Sequence, residues 1–290
     1  MKKTLIASAI LLAASGAANA GVLGSSFMDI GGLMLLNADG SAFDTTQITI
    51  LSDNRNGSLS ASFNGTNVAD SGTAGAFGAL DLDPLCTGGC PGEGNNSTTK
   101  LVTAAGNYAQ SDMMIMGNAL ITGAEGLTRA DAEGFPNSFG SANSEITNNV
   151  LASITFKVGM DADLKFEYDY SAYAIADITA DLLGTGSSAD SSSDFQISLN
   201  GTTIESFGVS VNAFDTAIGG SNSKVVDMAG TNMSDIVNVQ DGVLYNVVFT
   251  QKSAANIMAN RPIPEPVSLA LLSAGLLGMA GVGRRRMKKV

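Results

Sequence analysis

Histidine and tryptophan are absent from this 290-residue sequence, and cysteine occurs only twice. Without an imidazole, the chain cannot build a Ser-His-Asp or Cys-His nucleophile site, nor the HExxH motif of zinc proteases. Two cysteines without histidine fall short of the four ligands of an ordinary zinc site. The composition therefore excludes several common classes of hydrolase before any motif is considered.

Basic residues are scarce outside the two ends of the chain. Seven of the 15 Lys and Arg residues lie in the end segments, so residues 21–266 retain 8 basic residues against 27 acidic ones, a net charge of −19. A surface this negative repels nucleic acid and anionic lipid. We therefore expect no nucleic-acid partner, and the acidic excess is explained by solubility alone or by contact with divalent cations or cationic partners.

The first 20 residues have the three-part layout of a secretory signal peptide. Lys2 and Lys3 precede an apolar stretch, which ends in the small residues Ala18 and Ala20. This layout is typical of a segment that is removed during export. We expect recognition by the Sec machinery and cleavage after Ala20, whereas the alternative, a buried N-terminal helix, would lack any polar face.

The other end of the chain combines a proline motif, an uncharged stretch and a basic terminus. Residues 267–282 carry no charge and would rise about 24 Å as a helix, slightly less than the ~30 Å hydrocarbon core of a bilayer. Long basic side chains can close that gap, and they hold their own end in the cytoplasm. The motif is formed by Pro264, Glu265 and Pro266, and the terminus by Arg284, Arg285, Arg286, Lys288 and Lys289.

This C-terminal end resembles the PEP-CTERM sorting signal of Gram-negative bacteria. The resemblance covers residues 264–290, with the three parts in the same order. It implies that the protein is an exosortase substrate, held transiently in the inner membrane, cut near the Pro-Glu-Pro motif and delivered to the envelope or to an exopolysaccharide-rich biofilm matrix. The alternative is a tail anchor that is never cut.

The two cysteines, Cys86 and Cys90, are separated by three residues, two of which are glycine. This spacing lets the chain turn back on itself, and the oxidising exterior favours a disulfide. So small a loop contributes only about 2 kcal/mol. The alternative, a catalytic dithiol, has no neighbouring Lys or His to lower a thiol pKa.

Alternation of apolar and polar residues indicates an all-β body. The pattern is clearest at 152–158 and 164–170, and it recurs at 195–199, 207–211 and 243–249. Half-buried strands of this kind need a second sheet to cover their apolar faces. We therefore predict a β-sandwich of about 7 to 10 strands.

The predicted organisation is a signal peptide at 1–20, a body at 21–260 and a sorting tail at 261–290. Lobes at 21–148 and 149–260 are an alternative division of the body, because clear strands are fewer in the first half. Residues 174–183 also fit a helical stripe, and 184–194 have the composition of a loop.

Pairs of acids are the remaining candidates for chemistry. Asp161 with Asp163, Glu167 with Asp169, and Asp81 with Asp83 each lie two residues apart, so each pair shares one face of an extended chain. The first pair is a weak candidate Ca²⁺ site, against the alternatives of a solvated strand face or a catalytic acid pair.

No catalytic residue and no cofactor is assigned. Ser-x-x-Lys occurs at Ser97 to Lys100 and at Ser221 to Lys224, without the accompanying motifs of the serine enzymes that use it. The leading hypothesis is a non-enzymatic exported protein of the envelope or exopolysaccharide matrix. The alternatives are a Ca²⁺-dependent or carbohydrate-binding adhesion module, and an exported hydrolase that uses carboxylates.

Overall fold

A computed structural model describes most of the body of the chain. The described residues are 21–75, 78–92, 94–102, 106–118, 120–135, 137–154, 162–181, 186–200, 202–203, 207–217, 220–241 and 243–259. The predicted signal peptide, Pro-Glu-Pro motif, hydrophobic helix and basic terminus lie outside these residues, as does Asp161. Within the described ranges, no helix is long and apolar enough to cross a membrane.

The described residues form fourteen β-strands and include the 3₁₀ turn Thr45–Gln47, without an α-helix. The strands are β1 (Val22–Asn37), β2 (Ile48–Phe63), β3 (Thr66–Ala74), β4 (Leu80–Gly88), β5 (Tyr108–Asn118), β6 (Gly123–Gly134), β7 (Ser138–Ile154), β8 (Ala162–Asp181), β9 (Ser187–Leu199), β10 (Thr202–Thr203), β11 (Val209–Ala217), β12 (Gly220–Met233), β13 (Val237–Val239) and β14 (Leu244–Ala259).

The strands build two antiparallel sheets that pack face to face. Sheet A has the order β12-β8-β1-β6-β5-β4, and β13 also pairs with β8; sheet B has the order β10-β9-β14-β7-β2-β3, and β11 also pairs with β9. The inner faces of both sheets contribute to one large hydrophobic cluster. The all-β, sandwich-like prediction is confirmed, but the predicted number of strands was too low.

Each sheet combines strands from both halves of the sequence. β1 of sheet A pairs with β8, and β7 of sheet B pairs with β2 on one side and with β14 on the other. Residue 148, the boundary of the alternative lobes, lies inside β7. The described residues do not divide at that point.

Two local predictions differ from the structure around β8 and β9. Residues 174–181 continue β8, and 174–178 of them pair with β1, so the helical alternative is wrong there. The serine-rich segment predicted as a loop is strand from Ser187 onward, with alternate residues buried. Small side chains suit this strand because the sheets lie close together: a Cβ atom on Gly24 would lie 2.9 Å from the backbone oxygen of Asp190.

Polar side chains join the two sheets through the core. Gln251 on β14 donates from Nε2 to the backbone oxygen of Met28 at 2.6 Å, and Ser26 donates from Oγ to the backbone oxygen of Ser192 at 2.9 Å. Buried polar groups are tolerated when they are hydrogen-bonded. These bonds cross from sheet to sheet, so they fix the position of one sheet on the other.

An aromatic cluster centred on Tyr168 fills one end of the core. Its ring makes edge contacts with Phe195 and Phe207, at centroid distances of 4.8 and 4.7 Å. Its hydroxyl donates to the backbone oxygen of Phe207 at 2.6 Å, and Asn232 donates to that hydroxyl at 3.1 Å. Burial raises the pKa of Tyr168 to about 12. The phenol is therefore held in its protonated form by the fold.

In an alkaline titration followed by phenolate absorbance, we expect Tyr168 and Tyr173 to ionise near pH 12, because burial raises both pKa values. The variant Tyr168→Phe should lose one of these two ionisations near pH 12. The folded-state pKa lies above the unfolded value of 10.0, so the stabilisation is complete below pH 10 and is lost as the pH rises towards 12. Loss of the hydrogen bond should also cost about 1 kcal/mol. Ionisation of all five tyrosines together near pH 10 in the folded protein would contradict this prediction.

Candidate functional site

The outward face of sheet B is broad and polar. Strand alternation sends every second side chain of this sheet to solvent, and most of the described ones carry a hydroxyl, an amide or a charge. Exposed apolar side chains on the same face are Phe139 on β7, Phe214 on β11, and Leu244 and Met258 on β14. We call the polar part of this surface the polar face. Its described members include Asn54, Asn56, Ser58, Ser60 and Ser62 on β2; Asn67, Ala69, Ser71 and Thr73 on β3; Asp190, Ser192, Asp194 and Gln196 on β9; Ser210 and Asn212 on β11; and Thr250, Lys252, Ala254 and Asn256 on β14.

A groove of about 800 Å³ crosses the polar face. Its walls come from 58–60 of β2, 69–71 of β3, 252–254 of β14, and from Ser192 and Asp194 of β9. The backbone of β7 runs between β2 and β14 at this point. Five adjacent strands at a spacing of about 4.8 Å give the groove a width of about 19 Å, which suits a short stretch of a linear polymer.

Hydroxyl groups dominate the groove. Ser58, Ser60, Ser71 and Ser192 line it together with Asp194, and none of its described lining residues is aromatic. Serine hydroxyls both donate and accept hydrogen bonds, and a carboxylate accepts them. The groove can therefore bind a hydroxyl-rich ligand through many weak hydrogen bonds, but it offers no ring for stacking.

A different arrangement covers the outward face of sheet A. The chain between β4 and β5 crosses this face, and we call its described part, residues 89–92, 94–102 and 106–107, the strap. Leu101 of the strap packs on a small cluster of Leu23, Phe27, Tyr173 and Ile175. β1 is consequently buried on both faces.

Charged residues lie buried beneath the strap. Arg129 and Asp131 form an ion pair with an Nε to Oδ2 distance of 2.5 Å, and each side chain is only 1% exposed. Arg129 also donates from Nη1 to the backbone oxygen and the hydroxyl of Ser97, at 3.0 Å each. Glu133 accepts from the Tyr108 hydroxyl at 2.9 Å and from the backbone nitrogen of Gly106 at 2.7 Å. These bonds attach the middle of the strap and its C-terminal end to β6.

The start of the strap is closed by a disulfide between Cys86 and Cys90, whose Cα atoms lie 6.0 Å apart. Farther along, Lys100 forms an exposed ion pair with Asp227 at 2.7 Å. Its ammonium is therefore directed at β12, whereas the Ser97 hydroxyl contacts Arg129 and Thr99. The first Ser-x-x-Lys segment thus has a structural explanation in strap attachment.

One acid of each pair that the sequence suggested accepts hydrogen bonds from a neighbouring strand or from the strap. Asp163 accepts a hydrogen bond from Asn238 at 3.0 Å, and Asp169 accepts one from Thr231 at 2.5 Å. Asp81 accepts from the side chains of Asn95 and Asn96 in the strap. In the part of the chain that the structure describes, no group of three or more acidic or sulfur ligands surrounds a common point.

Sequence reasoning missed Asp112 and Asn96, which lie beside Asp81. Asp112 lies on β5 and accepts from the backbone nitrogen of Asn96 at 2.6 Å. Burial is the main cause that raises the pKa of Asp112 above its ordinary range, with the charge of Asp81 adding to it. The sequence offered one signal for Asp112, its position directly before the apolar run at 113–116. Charged residues are rarely buried without a partner, so an acid beside a buried strand suggests that a partner lies nearby.

Comparison of the chain with family models, with curated proteins and with solved structures finds no match.

Proposed function

We propose that this protein is a non-enzymatic exported protein that is sorted through its C-terminal segment and associates with an exopolysaccharide matrix through the polar face of sheet B. The observation that carries the matrix contact is the groove of about 800 Å³, which is lined by serine hydroxyls, two carboxylates and the ammonium of Lys252. The Sec machinery and an exosortase are the partners that the two end segments imply.

The chemistry of the groove favours a neutral polysaccharide. Sugar hydroxyls exchange hydrogen bonds with Ser58, Ser60 and Ser192 in either direction, since both sides donate and accept. Asp70 and Asp194 add two negative charges to the groove and Lys252 adds one positive charge, while the body as a whole carries a net charge of −19. An acidic polymer would therefore be repelled at low salt.

The expected affinity for each chain segment is weak. A wet, open groove without aromatic stacking gains little from each hydrogen bond, because each one replaces a bond to water. A long polymer offers many identical segments, and repeated contacts raise the overall retention. This behaviour suits a protein that is distributed through a matrix.

Sorting is tested by the intact mass and the cell fraction of the protein in its own host. We expect the native protein to lose the segment after the Pro-Glu-Pro motif and to leave the inner membrane. Changing Pro264, Glu265 and Pro266 to alanine should leave the chain uncut and membrane-bound. Cleavage of both forms, or of neither, would contradict exosortase processing.

The groove is tested by co-sedimentation of the purified protein with its host's exopolysaccharide. We expect Ser58→Arg combined with Ala69→Arg to weaken binding at least about tenfold, a change of 1.4 kcal/mol, because the long side chains fill the groove. Ser223→Arg combined with Thr231→Arg on the exposed strand β12 is the matched control and should bind normally. Equal binding by both double variants would contradict binding in the groove, and it would not bear on sorting.

A further inference from the structure

Four polar residues meet where the strap crosses the β4 edge of sheet A. Asn96 links two carboxylates: its backbone nitrogen donates to Oδ2 of Asp112 at 2.6 Å, and its Nδ2 donates to Oδ2 of Asp81 at 3.2 Å. Asn95 donates to both oxygens of Asp81 at 3.1 Å. The two acids lie on the outward face of neighbouring strands, one from β4 and one from β5.

Two oxygen atoms in this cluster have no hydrogen-bond partner. Oδ1 of Asp112 is buried and unpaired in a residue that is only 1% exposed, and Oδ1 of Asn96 is buried and unpaired as well. A buried acceptor without a donor costs about 1–3 kcal/mol, and more when it is charged. Both unpaired atoms are acceptors, so a positively charged or donor group would complement the cluster.

Two cationic side chains near the strap make their described hydrogen bonds to other groups. Arg129 lies opposite Asp112 in the register of β5 and β6 and its charge opposes the rise in the pKa of Asp112, but its Nε donates to Asp131 and its Nη1 donates to Ser97. Lys100 is paired with Asp227 on β12. Neither contact places a cationic nitrogen on Oδ1 of Asp112.

We propose that the cluster is a Ca²⁺ site, with Oδ1 of Asp112, Oδ1 of Asn96 and the carboxylate of Asp81 as its protein ligands. All three are the hard oxygen ligands that Ca²⁺ prefers, and two carboxylates balance the charge of the ion. With water completing the coordination, so few protein ligands place the dissociation constant at about 10⁻⁴–10⁻³ M, the range of extracellular modules. Burial raises the pKa of Asp112, and a cation bound to its carboxylate would favour the charged form.

The site would attach the strap to sheet A. Asn96 belongs to the strap, whereas Asp81 and Asp112 belong to the sheet, so one ion would add a further link to the hydrogen bonds, the ion pair and the apolar contact that already join these two parts of the chain. The polar face lies on the other sheet. The calcium proposal can therefore be tested independently of polysaccharide binding.

The test is calcium titration of the purified, EDTA-treated protein by calorimetry, together with its melting temperature. At about 10 mM CaCl₂ and a dissociation constant of about 1 mM, we expect Tm to rise by about 3–5 °C. Asp112→Asn should abolish this rise and remove one bound ion, even if the variant itself is more stable for having lost a buried charge. Asn96→Ala should weaken the response if Asp112→Asn fails to fold.

Two matched controls locate the ion. Asp163→Asn alters the site suggested by sequence, and Asp227→Asn alters another acid on the outward face of sheet A; both should keep the full response. An unchanged Tm and no binding heat in the native protein would overturn the proposal. A full calcium response in both Asp112→Asn and Asn96→Ala would overturn it equally.

Discussion

Replacing Arg129 with methionine is expected to lower the free energy of unfolding by about 3–5 kcal/mol, the cost of breaking a buried ion pair from one side. The ion pair with Asp131 is 1% exposed on both sides, and Ser25 adds a hydrogen bond to the same carboxylate at 2.6 Å. Methionine fills a similar volume but leaves this carboxylate without its cation. The bonds from Arg129 to Ser97 in the strap are lost as well.

The matched control is Lys100→Met, which removes the same charge from an exposed pair. The side chains of Lys100 and Asp227 are 43% and 46% exposed, and such pairs contribute about 0–1 kcal/mol. Denaturant unfolding of both variants measures the difference. Adding Asp131→Leu to Arg129→Met should recover part of the loss, because no unpaired charge then remains. Equal stability of the two single variants would show that the buried pair does not hold β6 and the strap together.

The sequence predicts the strands that have one face in water. β11, β14 and residues 163–169 of β8 alternate clearly, since their outward side chains are solvated and their inward ones fill the core. The hydrophobic effect acts on one face only in such strands, so a period of two is visible. This is why the all-β prediction is confirmed from a few segments.

Strands buried on both faces do not show that period. β1 carries Val22, Met28 and Ile30 towards the core, and Leu23 and Phe27 towards the strap. Apolar residues of β1 do not alternate with polar ones, because the strap, which is distant in sequence, covers the outward face. Local sequence patterns do not show such a long-range contact, so strands of this kind were missed and the predicted number of strands was too low.

The candidate sites are likewise products of pairing between distant strands. The groove brings Ser58 of β2 into the same surface as Ser192 of β9, and the proposed ion site brings Asp81 together with Asp112. The sequence correctly shows that hydroxyls and acids are plentiful, but their grouping depends on register. Asp163 satisfies the local spacing rule, and its carboxylate accepts a hydrogen bond from Asn238 on β13, a partner that the spacing does not reveal.

Replacing Gly117 with alanine is expected to lower the free energy of unfolding by about 4 kcal/mol, the sum of backbone strain and a steric clash. Gly117 lies near the end of the β5–β6 pairing at a φ of +73°, and a Cβ atom there would lie 2.0 Å from the backbone oxygen of Gly123. Backbone strain of this kind costs about 1–3 kcal/mol by itself. The carbonyl of Gly117 also accepts a bond from buried Arg55, which pairs with Asp53, so any shift of the turn disturbs that pair.

Substitutions at two other glycines distinguish backbone strain from steric clash as causes of the lower stability of Gly117→Ala. Gly40 has a φ of +83° and no atom within 4 Å of the position that a methyl group would take, so Gly40→Ala measures the conformational strain alone, about 1 kcal/mol. Gly31 has equal space and no positive φ, so Gly31→Ala should be close to neutral. Thermal and denaturant unfolding of the three variants should give losses in the order Gly117, Gly40, Gly31. If Gly117→Ala lost no more than Gly40→Ala, the turn would yield to the methyl group, and the Arg55 contact would not depend on its position.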